Sequence, residues 1–251
     1  ARSDILVFVH GYDSSSNVWR NKGIFSYLQS QAWQDAGNLR YHPNGVIYQQ
    51  APELKPYRMV TVDLPSAAPI PVQANLLALY VSHLQKQDPN QAFSIIGHSV
   101  GGVVARLTSI QHPALNIKRL ITIASPHMGT GMAEAAELLA KTPISILAPI
   151  VDADIINHSE ILLDQLRREE PGSFLFWLNR QKHPQINYIS IIRSNGSFMN
   201  RDYYVPSINQ DLRAVPGIPR ARVITLPSIG KHALQHRDAY LIAQIVNQSV
   251  D

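Results

Sequence analysis

The sequence contains no cysteine. Disulfide bonds, thiolate nucleophiles and cysteine-bound zinc are therefore excluded. It also lacks any uninterrupted apolar run approaching the roughly 18 residues that a membrane-spanning helix requires. Charge is sparse: Asp, Glu, Lys and Arg make up 16% of the chain, and the formal net charge is +4. The basic residues are scattered, with only short groupings such as Lys118-Arg119 and Arg167-Arg168. No Lys/Arg-rich run interleaved with aromatics occurs, so nucleic acid is not an expected partner. The small excess supports no more than a faint attraction to anionic surfaces. No H-x-x-x-H pair encloses an acidic residue and no other ligand cluster appears, so neither a metal nor a cofactor is expected. The chain opens at Ala1 in a strand-like run without Met, which reads as a processed or trimmed start.

What is present suits one folded unit. The chain has 251 residues, of which 45% are hydrophobic. That is enough for one sizeable core, and α/β folds reach this length as a single domain, here residues 1–251. Short apolar runs recur at Ile5–Val9, Met59–Val62, Phe93–Ile96, Leu120–Ile123, Tyr188–Ile192 and Val223–Leu226. Continuous apolarity without alternation predicts parallel strands covered on both faces. Between them, Val72, Leu76, Leu79, Tyr80 and Leu84 recur at helical spacing, as do Val103, Val104, Leu107 and Ile110. Near the end, Tyr240, Leu241, Ile245 and Val246 predict one face of a final helix. Strands alternating with helices imply a mainly parallel sheet flanked by helices, with ligands beyond the carboxyl ends of the strands. Residues 130–183 break the rhythm with no convincing strand, which predicts a helical cap or lid inserted over the sheet. Its apolar stretch Ile144–Val151 is a candidate lid that meets a lipid surface, or else simply core. Residues 40–58, with Pro43, Gly45, Pro52 and Pro56, read as an irregular surface excursion.

The chemistry-bearing pattern is Gly97-His98-Ser99-Val100-Gly101, between a predicted strand and a predicted helix. G-x-S-x-G in that context is a nucleophile elbow: the serine sits on a strained turn at the helix N-terminus, and its neighbours must be small. A plain glycine-rich βα turn is the structural alternative. An attacking serine needs N–H donors for the oxyanion it creates. The N–H of Val100 is one candidate. The loop after His10-Gly11, which closes the first strand, offers the N–H of Tyr12 as the other. In a serine hydrolase of this order the acid and base follow the nucleophile. Asp202 lies in a loop beyond the Tyr188–Ile192 strand, with Asp211 as competitor. His232 lies after the Val223–Leu226 strand, with His236 as competitor.

Taken together, His10-Gly11, Gly97–Gly102 and Ala124-Ser125-Pro126-His127-Met128-Gly129-Thr130 resemble the bacterial lipases and PGAP1-like esterases of the α/β-hydrolase superfamily. The likeness covers most of the chain and is weakest in 13–58 and 130–170. Asp202-x-x-Val205-Pro206 is similar to the lipase segment that carries the acid. The spacing of His232 from the last helix is similar to that of the lipase base. The resemblance implies the α/β-hydrolase fold and a carboxylic ester substrate, commonly an acylglycerol, with Ser99, Asp202 and His232 as triad. Thioesterase, amidase or acyltransferase chemistry on the same residues, and a non-catalytic binding protein on the same scaffold, stand as alternatives.

Overall fold

The computed structural model describes residues 4–12, 14–140, 153–194 and 202–248. Its centre is an eight-stranded sheet in the order β3-β2-β4-β1-β5-β6-β7-β8, parallel except for the β2–β3 pair. The six predicted strands are β1 (Asp4–Val9), β4 (Arg58–Val62), β5 (Ala92–His98), β6 (Ile117–Ile123), β7 (Asn187–Ser194) and β8 (Val223–Ile229). Strand β1 shows why these runs are mostly apolar. Ile5, Val7 and Val9 enter the core on one face of the sheet, and Leu6 and Phe8 enter the core on the other. Both faces are covered, so both parities of side chain are apolar in this strand.

One face is packed by α3 (Ile70–Gln87) and α4 (Val100–Gln111), the other by α1 (Val18–Asn21), α2 (Ile24–Ser30) and the terminal helix α9 (Asp238–Val246). The inward line of α3 is Ile70, Ala74, Leu77, Val81 and Leu84. Val72 and Leu79, expected on that line, are about half exposed at 50% and 52%. The reason is steric: α3 and α4 lie together, and the alanines at 74 and 78 let their backbones approach. Helix α9 likewise buries Ala239, Ile242, Ala243 and Val246, while Tyr240 lies outside and packs edge-on to Tyr27.

The expected excursion at 40–58 is partly strand. β2 (Gln34–His42) and β3 (Gly45–Gln50) form a hairpin that builds the first edge of the sheet. Of β2 only Ala36 and Leu39 are buried. Edge strands need little apolar surface, so hydrophobicity alone does not reveal them.

Residues 130–183 hold three helices, α5 (Met132–Ala140), α6 (Ala153–Leu166) and α7 (Phe174–Arg180), and no strand among the described residues. Leu162, Leu166, Leu175 and Leu178 join the core on the α3–α4 face. The apolar stretch Ile144–Val151 falls outside the described residues. The short helix α8 (Ser207–Gln210) follows β7.

Candidate active site

Ser99 stands between the last residue of β5 and the first of α4, with φ 53° and ψ −128°. An L-residue there is strained by about 1–3 kcal/mol, and the surroundings must impose it. Gly97 is one reason they can. A Cβ on it would lie 2.6 Å from the backbone of Gly101 and Gly102, so any side chain would force strand and helix apart. Gly11 is the second. A Cβ there would meet Ser99 Cβ at 2.9 Å and the His98 carbonyl at 3.1 Å. The loop after β1 therefore runs in contact with the serine, and Tyr12 is its next residue. Val100 opens α4, where first-turn N–H groups have no partner within the helix.

His10 holds that loop. Burial pushes its pKa down, leaving a neutral ring. The ring donates from Nδ1 to the Gly11 carbonyl at 3.0 Å and accepts the Leu64 N–H at Nε2, also at 3.0 Å.

The structure brings Ser99, His232 and Asp202 together. Ser99 Oγ lies 2.8 Å from His232 Nε2, and His232 Nδ1 lies 2.8 Å from Asp202 Oδ2. Asp202 accepts only, so Nδ1 carries the hydrogen and Nε2 offers its lone pair to the serine hydroxyl. Asp202 Oδ1 accepts the N–H groups of Tyr204 at 2.9 Å and Val205 at 3.0 Å. The imidazole is fixed further by the Tyr204 ring, edge-on at 5.6 Å, and by its own carbonyl, which accepts from His98 Nε2 at 2.8 Å. Burial, reinforced by the neighbouring His232, holds the His98 pKa well below the usual histidine value, so its ring is a neutral donor. Ser99, His232 and Asp202 are all buried. Burial strengthens the electrostatic interactions among them.

The competitors lie elsewhere. Asp211 is engaged by Arg213 and by the Thr225 hydroxyl. His236 packs against Tyr27 and Tyr240. His127 sits under α4, accepting from Arg106 at 3.1 Å and meeting Thr122 Oγ1 at 3.0 Å. Among the described residues, no cluster of three or more His, Asp or Glu could hold a metal ion.

Several supporting residues had no signal in the sequence. Arg193, at the end of β7, is fully buried and paired with Asp238 at 2.6 and 2.8 Å. It also donates to Ser228 Oγ and to the carbonyl of Ala233, the residue after His232. Gln210, which ends α8, touches both Asp202 and the Arg193 backbone. The Thr130 hydroxyl donates to the Tyr204 carbonyl, and Asn209 Nδ2 donates to the Gly129 carbonyl at 2.9 Å. Ser-Pro-His-Met-Gly-Thr thus splices the loop carrying Asp202 to the start of the helical insertion. Residues isolated in sequence become one unit only when β6 and β7 pair.

Residues 72–140, which include the elbow, match the family described as the PGAP1-like alpha/beta domain. The fold is similar to that of the mature Bacillus licheniformis lipase BlEst2, at 15% identity and TM-score 0.61, covering 99% of this chain and 93% of that one. It is similar also to a Listeria innocua gene product, at 11% identity and TM-score 0.69, covering 100% and 96%. A lipase-esterase related protein from Clostridium acetobutylicum matches at 12% identity and TM-score 0.58, covering 98% and 94%. No curated protein matches the sequence.

Proposed function

Proceeding from a chain of α/β-hydrolase fold that carries a PGAP1-like segment, we propose that it is a serine hydrolase of carboxylic esters, a lipase or lipase-like carboxylesterase. The observation that carries this reading is the hydrogen-bonded chain from Ser99 Oγ through the His232 ring to Asp202 Oδ2, with both bonds at 2.8 Å.

The chemistry follows from the positions of the protons. His232 Nε2 takes the hydroxyl proton as Ser99 Oγ attacks the ester carbonyl. Asp202 keeps the ring in the Nδ1–H tautomer and balances the imidazolium that forms. The oxygen that becomes negative is met by the N–H groups of Tyr12 and Val100, each worth roughly a hundred- to a thousandfold in rate. His232 then gives its proton to the alkoxide leaving group, and an acyl-Ser99 remains. Water, deprotonated by the same ring, attacks the acyl carbon and releases the acid. The scheme calls for no metal and no cofactor.

The insertion at 130–183 is assigned the role of a cap within a single domain, facing an ester or lipid substrate. Two of its helices, α6 and α7, enter the core that α4, the helix that presents Ser99, also lines.

The test uses p-nitrophenyl esters of increasing chain length, with and without emulsion. Hydrolysis is expected to be saturable in the parent and to fall by about three orders of magnitude or more in Ser99→Ala. A fluorophosphonate probe is expected to label the parent at Ser99. Near-normal turnover by Ser99→Ala would overturn the assignment. A gain in rate as long-chain substrate passes into emulsion distinguishes a lipase from an esterase of soluble substrates.

A further inference from the structure

Asp202 and His232 sit on separate loops, one after β7 and one after β8, and the base works only if the two loops keep a fixed separation. Gln210 is placed to set it. Its side chain is buried and spans three groups. Nε2 donates to Asp202 Oδ2 at 3.0 Å and to the Val205 carbonyl at 2.7 Å, while Oε1 accepts the Arg193 N–H at 2.8 Å. The carboxylate oxygen it touches is the one that receives His232 Nδ1–H.

Arg193 anchors the far side. Its carbonyl accepts the Ser207 hydroxyl, and its guanidinium reaches across to the Ala233 carbonyl and to Asp238 at the start of α9. One residue thus holds the acid loop through its backbone and the base loop through its side chain. Gln210 is the link between that frame and the carboxylate itself.

We propose that Gln210 is a positioning residue for the Asp202–His232 pair, acting through its amide N–H on Asp202 Oδ2. This inference rests on the triad reading above. Three features set Gln210 apart from a residue that merely fills space. It has both a donor and an acceptor in use. It shares an oxygen with the base. It is also tied to β7, the strand that the acid loop follows, through the Arg193 N–H. A carboxylate with a free oxygen can rotate about its Cβ–Cγ bond. With Oδ1 held by two backbone N–H groups and Oδ2 by Gln210, rotation would break three hydrogen bonds at once. The carboxylate is then already aimed before His232 becomes charged, and no reorganisation is needed during the reaction.

Gln210→Glu is the sharpest variant. It keeps the volume and keeps an acceptor for the Arg193 N–H, but replaces the donor with a second carboxyl group facing Asp202. The charged or titratable groups around that position, among the described residues, are Asp202, His232, Arg193 and Asp238. Two carboxyls in contact share a proton, which leaves as pH rises. The expected result is a loss in kcat that grows with pH and reaches about 10- to 100-fold on the alkaline side, with KM for a short-chain p-nitrophenyl ester within twofold. Gln210→Met, which has no donor at any pH, is expected to lose a similar factor at every pH. The parent and Ser99→Ala are assayed alongside. If Ser99→Ala stays active, the triad reading has failed. If Ser99→Ala is inactive but both Gln210 variants melt cooperatively and keep kcat within twofold, the triad stands and this inference is overturned. It is overturned equally if KM rises in proportion to the loss, or if neither variant folds, since Gln210 would then be a determinant of the fold.

Discussion

Ser99 and Ala124 hold φ of 53° and 51° at the ends of neighbouring parallel strands. These are positions an L-residue takes only under compulsion. The compulsion differs in how legible it is. For Ser99 the glycines at 97 and 101 announce it in the sequence. For Ala124 nothing does: its N–H pairs with the Ile191 carbonyl of β7, a residue distant in sequence. The same contrast separates Asp202 from Asp211. Both lie beyond β7, and in the sequence it is the likeness of Asp202-x-x-Val205-Pro206 to the lipase acid segment that favours Asp202. Burial by itself pushes the pKa of Asp211 up, but hydrogen bonds from Arg213 and Thr225 and the Arg213 charge hold it below the usual carboxylate value. Asp211 is thus committed to a surface pair and a strand, whereas Asp202 faces the imidazole. Asp202→Asn is expected to lower kcat by about 10⁴-fold, because an amide donor in contact with Nδ1 selects the wrong tautomer. Asp211→Asn is expected to leave kcat within a fewfold. Steady-state rates of the two variants decide the matter, and the opposite ranking would reassign the acid.

Among the elements, those buried on both faces were legible as apolar runs, and those that touch water on one side were not. The β2–β3 hairpin carries no apolar run because most of its side chains are polar or half exposed, although Asn44-Gly45 at its corner is a turn signal. The inward face of α3 departs from the line of large apolar residues because Ala74 and Ala78 are buried while Val72 and Leu79 face outward. Helix α9 holds an equally silent feature: Asp238, in its first turn, is fully buried with Arg193. A carboxylate at a helix N-terminus is favoured by the helix dipole. This one also accepts the Gln235 N–H at 2.8 Å, so it fixes the turn between His232 and the helix. Asp238→Ala leaves the guanidinium buried with only Ser228 Oγ and the Ala233 carbonyl. Breaking one side of such a pair costs about 3–5 kcal/mol. The expected fall in melting temperature is about 10 °C for a chain of this size, read by calorimetry or circular dichroism. A change within 2 °C would mean, roughly, that the pair is neutral to stability.

Across the whole molecule, the buried histidines set a limit on acidity. Burial lowers the pKa of His10, His98, His127 and His183, in the last case to about 3. Each is buried as a neutral ring with assigned work. His127 and His183 both face Arg106, a fully buried cation whose hydrogen-bond partners among the described residues are those two rings and the Asn179 amide oxygen. Burial pulls the Arg106 pKa down to about 9, but it remains charged at neutral pH, so neither histidine can take a proton beside it. The sign of the linkage follows. Unfolded, these histidines titrate near the ordinary histidine value of 6.5. Below that pH the unfolded chain binds protons that the folded chain refuses, so stability falls as pH falls. At pH 5 the loss is about 2 kcal/mol for each histidine still neutral in the fold. Two or three such groups consume a large part of a typical margin of about 5–15 kcal/mol. The midpoint of urea unfolding is therefore expected to drop steeply from pH 7.5 to pH 5, before the carboxylates begin to protonate. His183→Gln, which can offer Arg106 an amide oxygen in place of the ring nitrogen, is expected to flatten that slope by about one histidine's share, or ~2 kcal/mol between pH 7.5 and 5. A midpoint that stays level over this range in the parent would show that the four rings do not resist protonation as their burial requires.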